Sequence, residues 1–295
     1  HVISFRDTEI PGTTVHFVDC GPVKVAGNNK RFLLKIPQVR RLIRQIAPDI
    51  VHAHYATSYG ITGALCGRKP FVLTALGSDV LVSPFENRLY RLLLKFVFRK
   101  ADWITAMSDP MKDVMIQLGA DAAKVSTLIF GIDPAVFHAE GRTQAEEPFT
   151  LISTRNFEPV YNIDVLLKAV AGVKPEIPGL RMHLVGRGSM EETLKEMIVA
   201  LGLQDVIVFH GQQTQLQIAE LLRQSQLFVS VSSSDGNNIS LNEAMACGCF
   251  SVVSDIPANR QWVQDGLNGY FSAAITEREI AEAIRKAYRA YHEKK

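Results

Sequence analysis

The sequence lacks an uninterrupted apolar run of the length that a membrane-spanning helix needs, about 18 to 20 residues. The longest candidate, Leu89–Phe98, is interrupted by Arg91 and Lys95. It also lacks a strong charge of either sign, because 32 basic and 30 acidic residues leave a formal net charge of +2. We therefore expect neither a bilayer-spanning protein nor a nucleic-acid-binding one, since a phosphate backbone attracts a strongly basic surface.

Cysteine is scarce, and the four cysteines, Cys20, Cys66, Cys247 and Cys249, form no CxxC pair. This usage is typical of reduced, buried thiols and predicts a cytoplasmic protein rather than a disulfide framework. The chain opens with His1 in a strand-like run, without a visible signal peptide, and we expect the natural start to lie upstream.

What the sequence does contain is an alternation of short β-branched runs with amphipathic segments over 295 residues. The alternation predicts parallel sheets covered by helices, and the length suits two domains of about 150 residues each. We expect an α/β protein with one doubly wound, Rossmann-like sheet in each half. The polar stretch Ile132–Pro148 breaks the alternation, so we predict domains at 1–138 and 139–295. The predicted strands are Val2–Phe5, Val15–Val18, Ile50–Ala53, Phe71–Thr74, Trp103–Ala106, Val125–Ile129, Thr150–Ser153, Arg181–Val185, Val206–Phe209, Leu227–Val231, Phe250–Val253 and Tyr270–Ser272.

The densest chemical signal follows the predicted strand Leu227–Val231. Asn238 fits the N-cap of a helix that begins near Ile239, and Gly248 fits its end. A strand, a polar loop and a helix N-terminus in that order form an anion site, for which we predict free amides at Ile239, Ser240 and Leu241. A similar capping pattern predicts Ser189 as the N-cap of a later helix.

Two carboxylates, Asp235 and Glu243, flank this predicted anion site. Carboxylates beside a phosphate pocket are unfavourable unless hydroxyl groups donate to them, and the hydroxyls of a nucleoside sugar can do so. The alternative is that Asp235 and Asn238 only close a turn and cap a helix.

The segment Ser230–Phe271 resembles the donor-binding signature of the retaining glycosyltransferases of family 4, which have the GT-B fold. That signature is a Glu, seven residues, and a second Glu followed by AMAxG. Here Asp235 stands in the first position and Glu243 matches the second. Further similar segments, in the family's order, are Pro48–Tyr55, Thr74–Asp79, Ala101–Met111, Lys124–Phe137, Ser153–Val170, His183–Met197 and Val206–Gly211.

The resemblance implies two Rossmann-like domains facing a cleft and transfer of a sugar from a nucleotide diphosphate sugar, UDP- or GDP-linked, to an acceptor. It implies catalytic roles for Arg155, Asp235, Glu243 and His54. It places on the donor Gly186, Arg187, Gly188, His210, Gly236, Asn237, Asn238, Ile239, Ser240 and Glu243. It places on the acceptor side His52, His54, Gly77, Ser78 and Asp79. No two Asp stand two positions apart, so we expect no cofactor and no obligatory metal.

Two positions depart from the family pattern. Tyr161 stands where the family usually has a Lys that accompanies Arg155, and Leu76 stands where it often has a His. A missing cation beside a leaving diphosphate weakens transition-state stabilisation unless another group, such as Arg187 or Arg260, replaces it.

Two candidate features also have structural alternatives. His52 and His54 lie on one face of a strand and could bind a metal, but no third ligand has convincing spacing. Gly186 and Gly188 form a GxG that a tight strand-to-helix turn explains equally well.

The first half of the chain is basic, with 18 Lys and Arg against 14 Asp and Glu over residues 1–148. The second of two basic clusters could contact an anionic membrane that carries a lipid-linked acceptor, and solvated helix faces over a packed core are the alternative, which we favour from sequence. One cluster is Lys30, Arg31, Lys35, Arg40, Arg41 and Arg44. The other is Arg88, Arg91, Lys95, Arg99 and Lys100, with Leu89, Leu92, Phe96 and Phe98 between them.

The predicted activity is therefore retaining sugar transfer to a glycan, a lipid-linked or a small-molecule acceptor, in cell-envelope polysaccharide or glycoconjugate synthesis. The alternatives are a nucleotide-sugar-binding protein with little transfer activity and a nucleotide-sugar epimerase of the same fold. Against the family pattern, we expect the given chain to lack the first strand with its glycine-bearing loop and the closing helix.

Overall fold

The computed structural model describes residues 1–21, 30–142 and 148–293. The chain forms two compact units, His1–Ile129 and Phe130–Lys295, here called unit 1 and unit 2. The boundary lies before the predicted one at 138/139, because the intervening segment packs on unit 2. Phe137, for example, is buried in a core cluster with Ile152.

Unit 1 contains six strands and six α-helices among its described residues, and its strands coincide with those predicted to within about two residues. The strands are β1 (Val2–Ser4), β2 (Val15–Phe17), β3 (Val51–His54), β4 (Phe71–Thr74), β5 (Trp103–Ala106) and β6 (Val125–Thr127). The helices are α1 (Ile36–Ile46), α2 (Tyr59–Cys66), α3 (Ser78–Leu81), α4 (Ser83–Glu86), α5 (Arg88–Lys100) and α6 (Asp109–Gln117).

Where one sheet is predicted in this half, the described residues form two parallel sheets, β1-β2 and β3-β4-β5-β6. At the end of β1 the Phe5 amide donates to the Tyr59 hydroxyl at 3.2 Å instead of to a neighbouring strand. Helix α2 packs between α1 and α5, so these three helices form one layer.

Unit 2 contains six strands and six α-helices among its described residues. The strands are β7 (Thr150–Ser153), β8 (Arg181–Val185), β9 (Ile207–Gly211), β10 (Leu227–Ser230), β11 (Phe250–Ser254) and β12 (Gly269–Ser272). The helices are α7 (Ile163–Val173), α8 (Glu191–Ala200), α9 (Gln215–Arg223), α10 (Ile239–Ala246), α11 (Pro257–Arg260) and α12 (Glu277–Glu293). All six strands pair in parallel in the order β12-β11-β10-β7-β8-β9.

The unit 2 sheet is covered on both faces, as predicted for a doubly wound sheet. Leu151 and Val229 enter one buried cluster, and the next residue of β7, Ile152, and the preceding residue of β10, Phe228, enter the other. Successive side chains of a strand point to opposite faces, so both faces are apolar. The strand order reverses between β7 and β10, and ligands of open α/β sheets bind at the carboxyl ends of strands at such a point.

Local capping fixes several helix ends. The Asn238 side chain accepts from the Leu241 amide at 3.2 Å, which confirms Asn238 as the N-cap of α10. Gly248, with φ of +82°, follows that helix as predicted. The prediction for Ser189 is wrong: α8 begins after Met190, and Ser189 instead donates through its amide and hydroxyl to Glu158.

In the part of the chain that the structure describes, no helix combines the length and the apolar character needed to cross a bilayer.

Candidate functional site

Arg155 lies directly after β7 and is the centre of a buried polar cluster in unit 2. Its side chain is 8% exposed, and Nη2 donates to Asp235 Oδ2 at 2.6 Å. Nη1 donates to Asn238 Oδ1 at 2.8 Å. Asp235 and Asn238, which follow β10, therefore hold the guanidinium of Arg155, which follows the neighbouring strand β7.

The GxG turn after β8 fixes the backbone beside Arg155. A Cβ at Gly186 would lie 2.6 Å from the Arg155 carbonyl oxygen, and one at Gly188 would lie 2.3 Å from the Phe157 carbonyl oxygen. The Phe157 amide donates to the Arg187 carbonyl at 2.9 Å. The two glycines are thus required for close packing of two loops, and contact of this turn with a nucleotide stays a prediction.

Tyr161 covers one face of Arg155. The guanidinium carbon lies 4.3 Å from the centroid of the Tyr161 ring, within the range of a cation–π interaction. The turn that carries Tyr161 is fixed to the end of β10, because the Ser233 amide donates to the Val160 carbonyl at 2.9 Å. The sequence showed only that a family cation is replaced here, and gave no sign that the ring packs on Arg155.

The two carboxylates of the cluster have different surroundings. Burial raises the pKa of Asp235, although Arg155 and the amides of Asn237 and Gly236 act in the opposite direction. Burial raises the pKa of Glu243 to about 7, opposed only by the charge of Arg155. Near neutral pH, Glu243 therefore exists in both protonation states and can accept from, or donate to, a ligand hydroxyl.

The N-terminus of α10 offers fewer free amides than predicted. The Ile239 amide donates to the Asn237 carbonyl at 3.0 Å, and the Leu241 amide donates to Asn238. Of the three predicted donors only the Ser240 amide has no such bond among the described residues. The positive charge at this edge of the sheet comes chiefly from Arg155.

Asn238 is buried and positions its neighbours rather than facing solvent. Its Nδ2 donates to Asn259 Oδ1 at 3.0 Å and to Ser230 Oγ at 3.2 Å. With Oδ1 shared by Arg155 and the Leu241 amide, the side chain has no unused hydrogen-bonding atom. The resemblance implies a contact of Asn238 with the donor through its backbone amide, and that contact stays a prediction.

Several buried polar atoms around Arg155 have no hydrogen-bond partner among the described residues. Two of them are donors, Arg155 Nε and Asn237 Nδ2. The others are Ser153 Oγ, Thr154 Oγ1 and Asn242 Oδ1. Buried polar groups are normally paired, so this concentration at one sheet edge marks the place where a polar ligand would find partners.

The two arginines proposed to replace the missing family cation differ. Arg260 is bound to Asp255, with Nη2 to Oδ2 at 2.8 Å, and belongs to an exposed ion pair. Arg187 is exposed, and within the described residues its side chain makes no ion pair or hydrogen bond. Only Arg187 is free to turn towards an anion.

His210, predicted on the donor, pairs with His183 across β8 and β9. The ring nitrogens lie 2.8 Å apart, and burial lowers the pKa of His183 to about 4. The His210 carbonyl accepts from Gln213 Nε2 at 2.7 Å. Both rings are uncharged at neutral pH, and contact of His210 with the donor stays a prediction.

In unit 1, His52 and His54 lie on one face of β3, as predicted, with ring centroids 4.2 Å apart. His52 Nε2 lies 2.7 Å from Thr74 Oγ1. Partial desolvation lowers the pKa of both rings, and the neighbouring His54 lowers the pKa of His52 further. Neither is a cation at neutral pH, and His54 remains available as a hydrogen-bonding group.

The turn after β4 holds the remaining residues predicted on the acceptor side, and the structure corrects the prediction for Asp79. Asp79 is 0% exposed, and its carboxylate accepts from the amides of Ala56 at 2.6 Å and Gly77 at 2.8 Å. Asp79 thus closes the turn from inside and does not line an open site. Ser78 is exposed, and Gly77 has a φ of +149° that only glycine adopts readily.

Tyr55 is a residue of this edge that sequence reasoning missed. It follows β3 with a φ of +83°, a conformation that is strained for a bulky side chain. Its hydroxyl lies 3.0 Å from Ser78 Oγ. Strained backbone is common at functional sites, and the tyrosine after the two histidines was the available signal.

Within residues 1–21, 30–142 and 148–293, no three His, Cys, Asp or Glu side chains come together as a metal-ligand set. His52 and His54 in particular gain no third ligand there.

The family comparisons cover most of the chain. A family model described as glycosyl transferases group 1 matches residues 138–295, and one described as glycosyl transferase 4-like matches residues 1–108. The first spans more than half of the chain and contains the whole Arg155 cluster.

Individual proteins agree. The chain is 27% identical to the N-acetyl-alpha-D-glucosaminyl L-malate synthase of Bacillus anthracis over 234 residues, which is 75% of this chain and 60% of that protein. Anabaena HepE in complex with UDP-glucose superposes with a TM-score of 0.76 at 20% identity, covering 94% of this chain and 80% of that one. Sucrose-phosphate synthase of Thermosynechococcus elongatus superposes with a TM-score of 0.79 at 17% identity, covering 97% and 79%. The structural likeness confirms the predicted GT-B fold class, and the chain belongs to the group 1 glycosyl transferases.

Proposed function

We propose that this protein transfers a sugar from a UDP-sugar to an acceptor. The observation that carries the proposal is the Arg155 cluster, a cation fixed at the carboxyl edge of the unit 2 sheet inside the segment that matches the family. The Anabaena relative in complex with UDP-glucose supports a uridine diphosphate donor. The chain spans 60% of the length of the Bacillus anthracis relative, so the activity of the whole protein is part of the proposal.

In this proposal Arg155 stabilises the departing diphosphate. Its guanidinium has five N–H groups, of which the bonds to Asp235 and Asn238 use two. The remaining N–H groups can donate to phosphate oxygens as negative charge develops there. Asp235 and the loop Gly236–Ile239 hold the sugar, and Glu243 accepts from the ribose hydroxyls.

We also propose that the anomeric configuration of the sugar is retained, as the family resemblance implies. Retention through a charge-stabilised transition state needs no protein base, which suits a site where one buried carboxylate is held by Arg155 and the other is partly protonated near neutral pH. The anomeric coupling of the product, read by proton nuclear magnetic resonance before mutarotation, tests this. Inversion would contradict it.

The acceptor is proposed to use unit 1, through His52, His54, Gly77 and Ser78. A glycan, a lipid-linked sugar and a small molecule are the three candidate classes, with a role in cell-envelope polysaccharide or glycoconjugate synthesis. Adding each class in turn to the protein and its UDP-sugar distinguishes them. Only the true acceptor should shift the reaction from hydrolysis of the donor to transfer of the sugar.

We propose that transfer needs no metal ion, since the sequence has no paired-Asp motif. Turnover in excess EDTA should equal turnover in Mg²⁺ or Mn²⁺. Loss of activity in EDTA that either metal restores would overturn this part of the proposal.

Thermal stabilisation by nucleotides tests the donor site directly. A ligand that binds only the folded state raises Tm by mass action. UDP and UDP-sugars should raise Tm more than GDP or ADP and their sugars. The absence of a shift with any of them would contradict the donor-site proposal.

The second candidate is a nucleotide-sugar-binding protein with little transfer activity, which Leu76, Tyr161 and Asp235 favour because all three depart from the family pattern. Slow hydrolysis of the bound UDP-sugar, lost in Glu243→Ala, separates an enzyme from such a binding protein. Binding without hydrolysis or transfer would favour the second candidate. A change of the sugar's configuration while it stays on UDP would instead identify an epimerase.

A further inference from the structure

Helix α5 of unit 1 carries a charge of one sign only. Its thirteen residues, Arg88–Lys100, contain five basic side chains and no acidic one. Most surface helices mix both signs, and α12 of unit 2 does so, with Glu279 and Glu282 between its basic residues. A helix of one sign gains nothing from its own neighbours and attracts anions from outside.

The exposed side of α5 is also apolar. Leu94, Val97 and Phe98 are buried, so one side of α5 packs on the core of unit 1. On the opposite side Leu89 is 55% exposed and Leu92 is 65% exposed. Unlike Phe98, these two leucines do not pack on the core.

Phe85 is a further exposed apolar side chain next to α5. It lies in α4, which packs on α5, and is 66% exposed. Within α5, at 100° per residue, positions 89 and 92 project from one side of the helix, with positions 88, 91 and 95 beside them. We call Phe85, Arg88, Leu89, Arg91, Leu92 and Lys95 the α5 face.

The basic residues of the α5 face have no acidic partners. Among the described residues, the side chains of Arg88, Arg91 and Lys95 form no ion pair or hydrogen bond. The contrast is with α12, where Arg289 binds Glu282 at 3.1 Å. The charges of the α5 face are therefore available to a partner.

The neighbouring part of the helix layer has the same character. Helix α1 has no acidic residue, and Arg41 and Arg44 are exposed on it. The segment before α1 presents Leu34, 78% exposed. The α5 face is thus one part of a broader basic and apolar surface.

We propose that the α5 face binds an anionic lipid bilayer, a function beyond sugar transfer itself. Phe85, Leu89 and Leu92 enter the boundary between headgroups and acyl chains, and the basic side chains lie among the lipid phosphates. The apolar residues favour a bilayer over a nucleic acid, whose backbone would engage the basic residues but leave three exposed apolar side chains in water.

Vesicle co-sedimentation tests the proposal. The whole chain should bind vesicles of phosphatidylcholine mixed with phosphatidylglycerol and not vesicles of phosphatidylcholine alone. Replacing three charges in Arg88→Gln/Arg91→Gln/Lys95→Gln should weaken that binding about 100-fold. The control Arg278→Gln/Lys286→Gln/Arg289→Gln removes the same charge from α12 and should bind as the unchanged chain does.

The apolar contribution needs its own variant. Leu89→Ser/Leu92→Ser keeps every charge and should weaken binding about 10-fold, because less apolar area enters the bilayer. Both side chains are exposed, so Tm should not fall. Equal loss in the α12 control, undiminished binding of the serine variant, or equally tight binding of duplex DNA would each overturn the proposal.

Discussion

Arginine is used in opposite ways in the two units. In unit 2, Arg155 is buried, with a carboxylate, an amide oxygen and an aromatic ring around it. On the α5 face of unit 1, Arg88 and Arg91 are exposed, with no side-chain partner among the described residues. A buried cation that protein groups hold in one position suits a ligand of defined geometry, whereas exposed cations of one sign suit a broad anionic surface.

The largest expected effect tests how much the buried ion pair of Arg155 with Asp235 contributes to stability and to sugar transfer. Arg155→Met leaves Asp235 buried without its partner, which should cost about 3–5 kcal/mol of unfolding free energy at pH 7 in urea titrations. Sugar transfer should fall at least ~100-fold. Because the folded-state pKa of Asp235 is then raised further, the stability loss should grow as pH rises.

A double variant separates the two losses. Arg155→Met/Asp235→Asn removes the uncompensated charge, so stability should recover while transfer does not. An unchanged unfolding free energy in the single variant would contradict the buried ion pair.

The next prediction concerns Asp79 of unit 1, which the sequence predicts on the acceptor side and which is buried in the structure. Asp79→Ala leaves the amides of Ala56, Leu76 and Gly77 without their acceptor and should cost about 3 kcal/mol of unfolding free energy. UDP affinity should not change, because the residues proposed to bind the donor lie in unit 2. A stable variant that has lost acceptor use would restore the original sequence prediction for Asp79.

Tyr161 should have a smaller effect that depends on the phosphates. Tyr161→Ala removes the ring beside Arg155 and should weaken UDP binding about 10-fold in calorimetric titrations, whereas Tyr161→Phe keeps the ring and should stay within about 2-fold. Uridine, which has no diphosphate, should bind all three proteins equally. If the affinities for uridine and UDP fall together in Tyr161→Ala, the ring stabilises the fold of the site and does not act through Arg155.

The smallest effect is a pH dependence of stability. Burial raises the folded-state pKa of Glu243 from its ordinary 4.5 to about 7, so the folded protein binds more protons between these values. Its contribution to stability is full below pH 4.5 and is lost as pH rises to about 7. Glu243→Gln has no such loss.

The Tm of Glu243→Gln should therefore exceed that of the unchanged chain by a few degrees at pH 8 and approach it near pH 4.5. The difference should be measured by scanning calorimetry across this range. A constant difference would show that Glu243 is not the titrating group.

Sequence patterns predicted the strands well because buried parallel strands are continuous apolar runs with polar boundaries. All twelve predicted strands are present, and Asn238 caps α10 as expected. The signature residues Asp235 and Glu243 also lie at the same sheet edge as Arg155, since carboxyl ends of parallel strands share one edge.

The predictions that failed depend on how the backbone turns and on which polar groups then meet. The amide of Ile239 was expected to be free, but the chain turns so that Asn237 accepts from it. Asp79 was expected in an open site, and its neighbours' amides enclose it. Spacing along the chain does not determine which donor reaches which acceptor, and so the ring of Tyr161 on Arg155 was equally invisible.

The central claim, that Arg155 holds the diphosphate of a bound donor, is tested most directly by calorimetric titration with UDP and uridine. The unchanged chain should bind UDP at least ~100-fold more tightly than uridine, and Arg155→Gln should reduce this ratio to near one, because only UDP carries charge for the guanidinium. Equal affinity for UDP and uridine in the unchanged chain, or an unaltered ratio in Arg155→Gln, would contradict the claim.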